Sequence, residues 1–225
     1  MRQLIKDFIK IASETLPINE PIYEFGSLQV SGQEGFADLR TFFLGKEYVG
    51  CDLIDGPGVE RILNIHKIDL PSESVGTVII ADTLEHVEFV RNAMDEVYRI
   101  LKPEGIVIMS SVMNFPIHNF PEDYWRFTPE GFKSLLRIFP VFFVDSVGNS
   151  TFPHTVVGIG RKSPVQDSMD EFKDRIFIWK QHYDLTSTER WKKFLKLFVP
   201  PLFLQIYGKI RDIKMRQIPI KDLTK

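Results

Sequence analysis

The sequence predicts an α/β protein, with an open and mostly parallel sheet that is covered by helices and ends in an antiparallel pair of strands. Three observations support this fold class. Apolar runs of strand length alternate with segments of helical periodicity through residues 22–139. The run at residues 76–81, G-T-V-I-I-A, is apolar on both faces, as in a strand inside a parallel sheet. Two late runs, 141–147 and 155–160, lie close enough to pair antiparallel.

The elements before residue 76 follow from apolar spacing and from the residues that end each run. Residues 1–17 have the periodicity of an amphipathic helix that stops at a proline. Short strands are predicted at 22–25, which ends at a glycine, at 47–53 and at 62–65. Residues 36–43 are predicted to be helical, because Phe36, Leu39 and Phe43 share one face.

The later elements continue the alternation of strand and helix. Apolar residues spaced at three and four predict a helix over 87–101, which ends at Lys-Pro. A strand at 106–110 and a helix at 129–139 follow, and residues 167–183 have helical character. The strands and helices therefore predict one sheet-based domain at residues 1–163 and a helical, basic extension at residues 164–225.

Composition limits the classes of function. The chain of 225 residues is 44% hydrophobic and 26% charged, which is typical of a soluble globular protein. Its net charge of -2 gives no general reason to expect nucleic-acid binding. The single cysteine, Cys51, can form neither an internal disulfide nor a thiolate metal cluster, so no metal site is predicted. With no secretory signal and no long apolar run, a cytoplasmic location is expected.

The extension differs from the domain in charge. Residues 189–216 contain eight Lys or Arg and two acidic residues, interleaved with aliphatic and aromatic side chains. Such a segment fits a cap over the active site, an arm in a homodimer, or a helix that lies against an anionic membrane. A solvated surface is the fourth alternative. Peripheral membrane association and dimerisation are therefore expectations for this segment.

Polar residues follow the predicted strands, where open α/β sheets bind their ligands. Glu24, Gly26 and Ser27 lie at the end of the first strand, Asp52 ends the second, and Asp82 follows the fourth. A glycine allows close approach of the backbone to a ligand, and a carboxylate after the second strand can bind both hydroxyls of a ribose.

These positions lie in a sequence that resembles a known family. The segments E-F-G-S, Y-V-G-C-D-L, A-D-T-L-E-H-V and R-I-L-K-P-E-G-I resemble those of class I S-adenosylmethionine-dependent methyltransferases of the broad type 11 group, over residues 21–162. The resemblance implies a Rossmann-like, seven-stranded mixed sheet with an antiparallel hairpin at its end. It also implies S-adenosylmethionine as the cofactor.

The resemblance places the cofactor above the strand ends. Glu24 and Gly26 would lie beneath its methionine moiety, Asp52 would bind the ribose, and Asn64 or His66 would meet the adenine. The implied cofactor-binding residues are Glu24, Gly26, Ser27, Asp52, Leu53, Asn64, His66, Asp82, Thr83 and Leu84.

The first motif departs from the family pattern. Leu28 stands where the second glycine is usual, and the longer segment Q-V-S-G-Q-E-G follows. We expect this loop still to bind the cofactor, with Gly32 and Gly35 supplying flexibility, because the other strand ends keep their polar residues.

The segment 114–131, N-F-P-I-H-N-F-P-E-D-Y-W-R-F-T-P-E-G, is predicted to bind the methyl acceptor and is named the aromatic loop below. It resembles a segment of family members that accompany polysaccharide or lipid-glycan biosynthesis. Four candidate catalytic residues lie in this loop: His118, Asp123, Tyr124 and Arg126. A fifth, His86, lies at the start of the helix predicted over residues 87–101. Alternatively, either histidine has a structural or surface role, and Asp123 pairs with Arg126.

The sequence thus predicts transfer of a methyl group to an oxygen, in preference to a nitrogen, of a small or glycan- or lipid-linked acceptor. The alternative is a catalytically inactive binding module with the same fold, which the altered first motif favours. A nicotinamide-dependent oxidoreductase is disfavoured, because G-S-L-Q-V-S-G lacks the GxGxxG pattern.

Overall fold

The computed structural model describes residues 1–32, 34–118, 122–163 and 169–184. Its centre is a seven-stranded mixed sheet, as predicted. The strands are β1 Ile22–Phe25, β2 Tyr48–Asp52, β3 Arg61–Ile62, β4 Val75–Ala81, β5 Leu101–Val112, β6 Val141–Gly148 and β7 Pro153–Arg161. The helices are α1 Gln3–Thr15, α2 Val90–Ile100, α3 Pro129–Leu136 and α4 Asp170–Tyr183.

The strand order is β3-β2-β1-β4-β5-β7-β6. The first five strands in this order pair parallel, whereas β7 pairs antiparallel with both β5 and β6. After β1 the chain builds outward to β3, and it then returns to place β4 on the other side of β1. The order of strands therefore reverses between β1 and β4, the point at which open α/β sheets bind ligands.

Two apolar layers hold the sheet, one on each face. One cluster joins alternate strand residues such as Phe25 and Ile80 to α2 and α3, and the other joins Ile22 and Ile79 to α1 and α4. Neighbouring strand residues enter opposite clusters because side chains alternate across a strand. All seven residues of β4 are buried, as the apolar run in the sequence predicted.

Helix α4 belongs to this compact unit, which spans Met1–Asp184. Phe8 of α1 packs edge-on against Phe172 of α4, with ring centroids 6.3 Å apart. The Trp179 indole N–H donates to the carbonyl oxygen of Leu4 at 2.9 Å. The compact unit thus continues past the domain boundary predicted at residue 163. The extension beyond residue 184 lies outside the described residues, so its helices, membrane contact and dimer role stay predictions.

Two predicted elements differ from the structure. Residues 36–43 contain only a 3-10 turn, Arg40–Phe42, rather than a helix. The Asp38 carboxylate accepts the backbone N–H of Arg40 at 3.0 Å, a local bond that competes with helix formation. The third strand is Arg61–Ile62 rather than 62–65, because Asn64 and Lys67 close a turn. Within the described residues, no helix combines the length and apolarity needed to cross a membrane.

Candidate active site

A cavity of about 500 Å³ opens at the carboxyl ends of β1, β2 and β4. This volume lies in the range of small-molecule binding sites. Residues from three strand ends, the start of α1 and the aromatic loop contribute to its wall. Its lining residues include Arg2, Glu24, Gly26, Ser27, Leu28, Asp52, Leu53, Leu63, Ile65, Asp82, Thr83, Glu85, His86 and His118.

The end of β1 requires a glycine at position 26. Gly26 has a φ of 86°, a conformation that side chains other than glycine rarely adopt. A Cβ at this position would lie 2.1 Å from the Thr83 hydroxyl oxygen, which is closer than any real contact. The Thr83 hydroxyl is fixed there by donating to the carbonyl oxygens of Phe25 and Ala81. The ends of β1 and β4 therefore touch at the cavity wall.

Leu28 replaces the usual second glycine without closing the cavity. Its backbone N–H donates to Asp52 Oδ2 at 3.3 Å, and its side chain packs at Gly56, where any Cβ would lie 2.5 Å from Leu28 Cδ1. Asp52 Oδ1 accepts the N–H groups of Leu53 and Ile54. The altered motif thus rests against the β2–β3 loop. The two predicted compensating glycines, Gly32 and Gly35, both have positive φ.

Glu24 lies inside the wall beneath this loop, with only 3% of its surface exposed. The Tyr48 hydroxyl donates to Glu24 Oε2 at 2.7 Å. Burial raises the pKa of the Glu24 carboxyl to about 7, although the Tyr48 hydrogen bond opposes the shift. Glu24 is therefore a titratable group at the bottom of the cavity.

The cavity wall also carries a carboxyl and two imidazoles, Glu85, His86 and His118, which we name the histidine cluster. The His86 and His118 rings meet edge to face, with centroids 4.8 Å apart. Glu85 is fully buried, and burial, followed by the nearby charge of Asp82, raises its pKa to about 8. Ser111 donates to Glu85 Oε2 at 2.6 Å, whereas Oε1 has no hydrogen-bond partner among the described residues.

Asp82 and Arg2 also line the cavity. Asp82 has a φ of 49°, an uncommon conformation for a residue other than glycine, and its N–H donates to Ser110. The Arg2 guanidinium donates to both carboxylate oxygens of Asp82 at 3.0 Å. The end of β4 is thus held by an arginine that precedes α1.

Comparisons with known proteins agree with the fold. Residues 39–109 match the family model described as a methyltransferase domain. A SAM-dependent methyltransferase from Archaeoglobus fulgidus superposes with a TM-score of 0.55 at 15% identity, over 72% of this chain and 95% of that one. No curated protein matches the chain.

The chain has the fold of class I methyltransferases. Two further structures share the fold. The 1,6-didemethyltoxoflavin-N1-methyltransferase of Burkholderia thailandensis, solved with 1,6-didemethyltoxoflavin and S-adenosylhomocysteine, gives a TM-score of 0.50 at 15% identity, over 71% of this chain and 78% of that one. A Haloferax volcanii methyltransferase in complex with the Trm112 activator gives a TM-score of 0.53 at 14% identity, over 74% of this chain and 92% of that one. The family match and the fold support an enzyme that uses S-adenosylmethionine.

The wall of the cavity fits this cofactor. Asp52 offers a carboxylate after β2, and the hydroxyl of Ser27 is buried without a hydrogen-bond partner among the described residues. Leu53, Leu63 and Ile65 add apolar surface on the same side. A ligand with a polar centre and a flat apolar ring system matches this distribution of groups.

Three of the predicted cofactor-binding residues, Asn64, His66 and Leu84, are not among the residues that line the cavity. Asn64 and His66 face one another outside the cavity wall, with Asn64 Oδ1 3.0 Å from His66 Nδ1, and His66 Nε2 accepts the N–H of Phe89. The turn that closes at residue 67 directs their neighbours Leu63 and Ile65 to the cavity instead. Leu84 is fully buried in the core rather than at the wall.

The predicted catalytic residues divide into two groups. His86 and His118 reach the cavity, whereas Asp123, Tyr124 and Arg126 are not among its described lining residues. Arg126 donates to both carboxylate oxygens of Asp123 and holds the pKa of that carboxyl well below its usual range. The Tyr124 side chain is 45% exposed, and its backbone N–H donates to the carbonyl of Glu85. Asp123 and Arg126 therefore brace the aromatic loop.

Sequence reasoning missed Glu85 and Arg2. Glu85 stands between the predicted residues Leu84 and His86, and its burial depends on contacts with Ser111, far along the chain. Arg2 reaches Asp82 across 80 residues of sequence. The motif A-D-T-L-E-H-V could have directed attention to Glu85, but no local pattern marks Arg2.

Replacing Glu24 with glutamine is expected to change how stability depends on pH. The folded chain holds the Glu24 proton up to about pH 7, whereas the unfolded chain releases it near 4.5. Between these values the folded state binds more protons, so the free energy of unfolding falls as pH rises. Across this window the free energy of unfolding of the wild type should fall by about 3 kcal/mol. That of Glu24→Gln should not show this fall.

Denaturant unfolding of both proteins at several pH values from about 5 to 8 measures this difference. Glu104→Gln, at an exposed glutamate, is the matched control and should follow the wild type. Parallel pH profiles for wild type and Glu24→Gln would show that Glu24 titrates normally.

Proposed function

We propose that the protein transfers the methyl group of S-adenosylmethionine to an oxygen of a small or glycan- or lipid-linked acceptor. The observation that carries the proposal is one cavity whose wall holds two chemically different groups of residues. We assign Glu24, Gly26 and Asp52 to a cofactor end and the histidine cluster to an acceptor end. The first end suits the cofactor, and the second suits a group that must lose a proton.

The cofactor end supplies binding and orientation. The Asp52 carboxylate would accept hydrogen bonds from the ribose hydroxyls, as after the second strand of related folds. Gly26 keeps the wall free of a side chain beside Thr83, where the methionine portion would lie. Leu63 and Ile65 would contact the adenine through apolar surface. The bound cofactor supplies an electrophilic methyl group, so alignment of the acceptor accounts for much of the rate.

The acceptor end favours a hydroxyl. His86 Nδ1 lies 2.5 Å from the carbonyl oxygen of Glu122, which can only accept, so Nδ1 carries the proton and Nε2 has a free lone pair. Glu85 and His118 stand beside it at the same wall. A hydroxyl becomes a good nucleophile as its proton leaves, and this cluster can assist that step.

The extension supports a further part of the proposal. Eight basic and two acidic residues at 189–216 would attract an anionic surface, which fits a cytoplasmic enzyme that meets lipid-linked or glycan-linked acceptors at a membrane. The same segment could join two chains in a homodimer. Binding of the full chain to anionic and neutral vesicles, with the oligomeric state measured by light scattering, separates these proposals.

Two measurements test the proposed reaction. Calorimetric titration with S-adenosylhomocysteine should show binding of one molecule per chain. Incubation with S-adenosylmethionine carrying a radioactive methyl group should then label a glycan or lipid fraction, and mass spectrometry of the product should locate the methyl group on oxygen. Labelled nitrogen would contradict the oxygen assignment. Binding without any transfer would favour the inactive module.

A further inference from the structure

The histidine cluster has the composition of a metal site. Each of its three side chains offers one ligand atom, and these atoms all lie within 4.8 Å of one another. We infer that Glu85, His86 and His118 bind a divalent transition-metal cation, best matched by Zn²⁺, at the acceptor end of the cavity. The single cysteine predicted no thiolate metal cluster, and this ligand set contains no thiolate.

The chemistry of the ligands favours this class of cation. Two imidazoles and one carboxylate form the three-ligand set of open zinc sites, in which a fourth position remains for water or substrate. The same set also occurs around iron(II) with open positions. Ca²⁺ and Mg²⁺ prefer oxygen ligands and are not expected to bind here strongly.

The outer contacts of both imidazoles are those that ligating histidines usually have. His86 Nδ1 lies 2.5 Å from the Glu122 carbonyl oxygen. His118 Nδ1 lies 3.2 Å from the Pro116 carbonyl oxygen and 3.3 Å from Asp123 Oδ2. An oxygen acceptor on Nδ1 fixes the tautomer and leaves the Nε2 lone pair for a metal. This gives Asp123 and its partner Arg126 a role, since they orient His118.

Glu85 provides an independent observation. Its carboxyl is fully buried, Ser111 holds Oε2, and Oε1 reaches no hydrogen-bond partner among the described residues. A buried polar atom without a partner is costly and uncommon in native structures. A cation held between this oxygen and the two imidazoles would satisfy it.

The spacing requires a modest adjustment on binding. Ligand atoms around tetrahedral zinc lie roughly 3.3–3.5 Å apart, since each is about 2.0–2.2 Å from the metal. A separation of 4.8 Å must therefore close by about 1.3–1.5 Å. His118 lies outside the helices and strands, and a small rotation of its side chain can supply this movement.

A bound cation would explain how the acceptor loses its proton. This consequence rests on the proposed function, whereas metal binding itself does not. A hydroxyl oxygen at the open position would have a lowered pKa, as zinc-bound water does. The cluster would then activate the acceptor through the metal rather than through a single imidazole.

The test uses the full chain after removal of metal with a chelator and dialysis. Calorimetric titration with ZnCl₂ should show one tight site, and Co²⁺ should give the intense visible absorption of a tetrahedral complex. The variants His86→Ala, His118→Ala and Glu85→Gln should each weaken binding at least about 100-fold and remove the Co²⁺ spectrum. Glu85→Gln keeps the shape of the side chain, so a loss of zinc affinity in this variant cannot come from a packing defect.

His66→Ala is the matched control, because His66 pairs with Asn64 outside the cavity and its loss should leave zinc affinity unchanged. Circular dichroism and S-adenosylhomocysteine titration of every variant report folding and the cofactor end separately. Unchanged zinc affinity in the folded cluster variants, or equal loss in His66→Ala, would overturn the metal site. Zinc binding without S-adenosylhomocysteine binding would instead contradict the proposed function alone.

Discussion

Gly26→Ala is expected to lower the free energy of unfolding by about 2–5 kcal/mol and to abolish measurable S-adenosylhomocysteine binding. Two costs combine. Alanine at a φ of 86° costs about 1–2 kcal/mol, and its Cβ would overlap the Thr83 hydroxyl, a crowding that typically costs 1–3 kcal/mol more. Relief of the overlap would separate the ends of β1 and β4, which form the wall of the cofactor site.

Gly45→Ala separates these two costs. Gly45 has a φ of 78°, close to that of Gly26, but a Cβ there would meet nothing within 4 Å. This control should lose only the backbone part, about 1–2 kcal/mol, and should keep full cofactor affinity. Urea unfolding and calorimetric titration of both variants make the comparison. If the two variants lose equal stability and both bind S-adenosylhomocysteine, the contact with Thr83 is not important.

Asp52→Ala is expected to weaken S-adenosylhomocysteine binding about 100-fold. Hydrogen bonds to a charged group contribute about 1.5–3 kcal/mol each, and the carboxylate is placed to accept them from the ribose. Asp52 also accepts the N–H groups of Leu28, Leu53 and Ile54. Its loss therefore releases the β2–β3 loop and the segment after β1. Both effects act in the same direction on affinity.

Asp52→Asn divides these effects, because its single amide oxygen can still accept the N–H groups of Leu53 and Ile54, whereas the charge and the acceptor for the Leu28 N–H are lost. We expect a loss of about 10-fold for this variant, between wild type and Asp52→Ala. Asp55→Ala, at an exposed acidic residue of the same loop, should bind like wild type. Calorimetric titration of the three variants gives the ranking. Wild-type affinity in Asp52→Ala would place the ribose elsewhere.

The sheet could be predicted from the sequence because its determinants are local. The apolar run of β4, the polar residue at each strand end and the close spacing of β6 and β7 are all visible in short windows. The strand ends then follow from topology, which brings Gly26, Asp52 and Asp82 to one edge. These residues line the cavity in the structure.

Features set by long-range contacts could not be predicted. The apolar spacing of residues 36–43 suits a helix. In the structure Leu39 and Phe43 flank a 3-10 turn and are buried there, because tertiary packing overrides local propensity. The turn after β3 decides that Ile65 rather than His66 faces the cavity. Glu85 is held by hydrogen bonds from strand β5 and the aromatic loop, both of which come later in the chain.

The packing of α4 on α1 has a consequence for synthesis. Phe8 and its neighbours lie against Phe172 and Trp179, so one face of the sheet is completed by helices from the beginning and the end of the compact unit. During translation the first helix has no complete partner surface until residue 183 has left the ribosome. The nascent chain therefore exposes this apolar face longest, and chaperones that recognise exposed hydrophobic segments would meet it there.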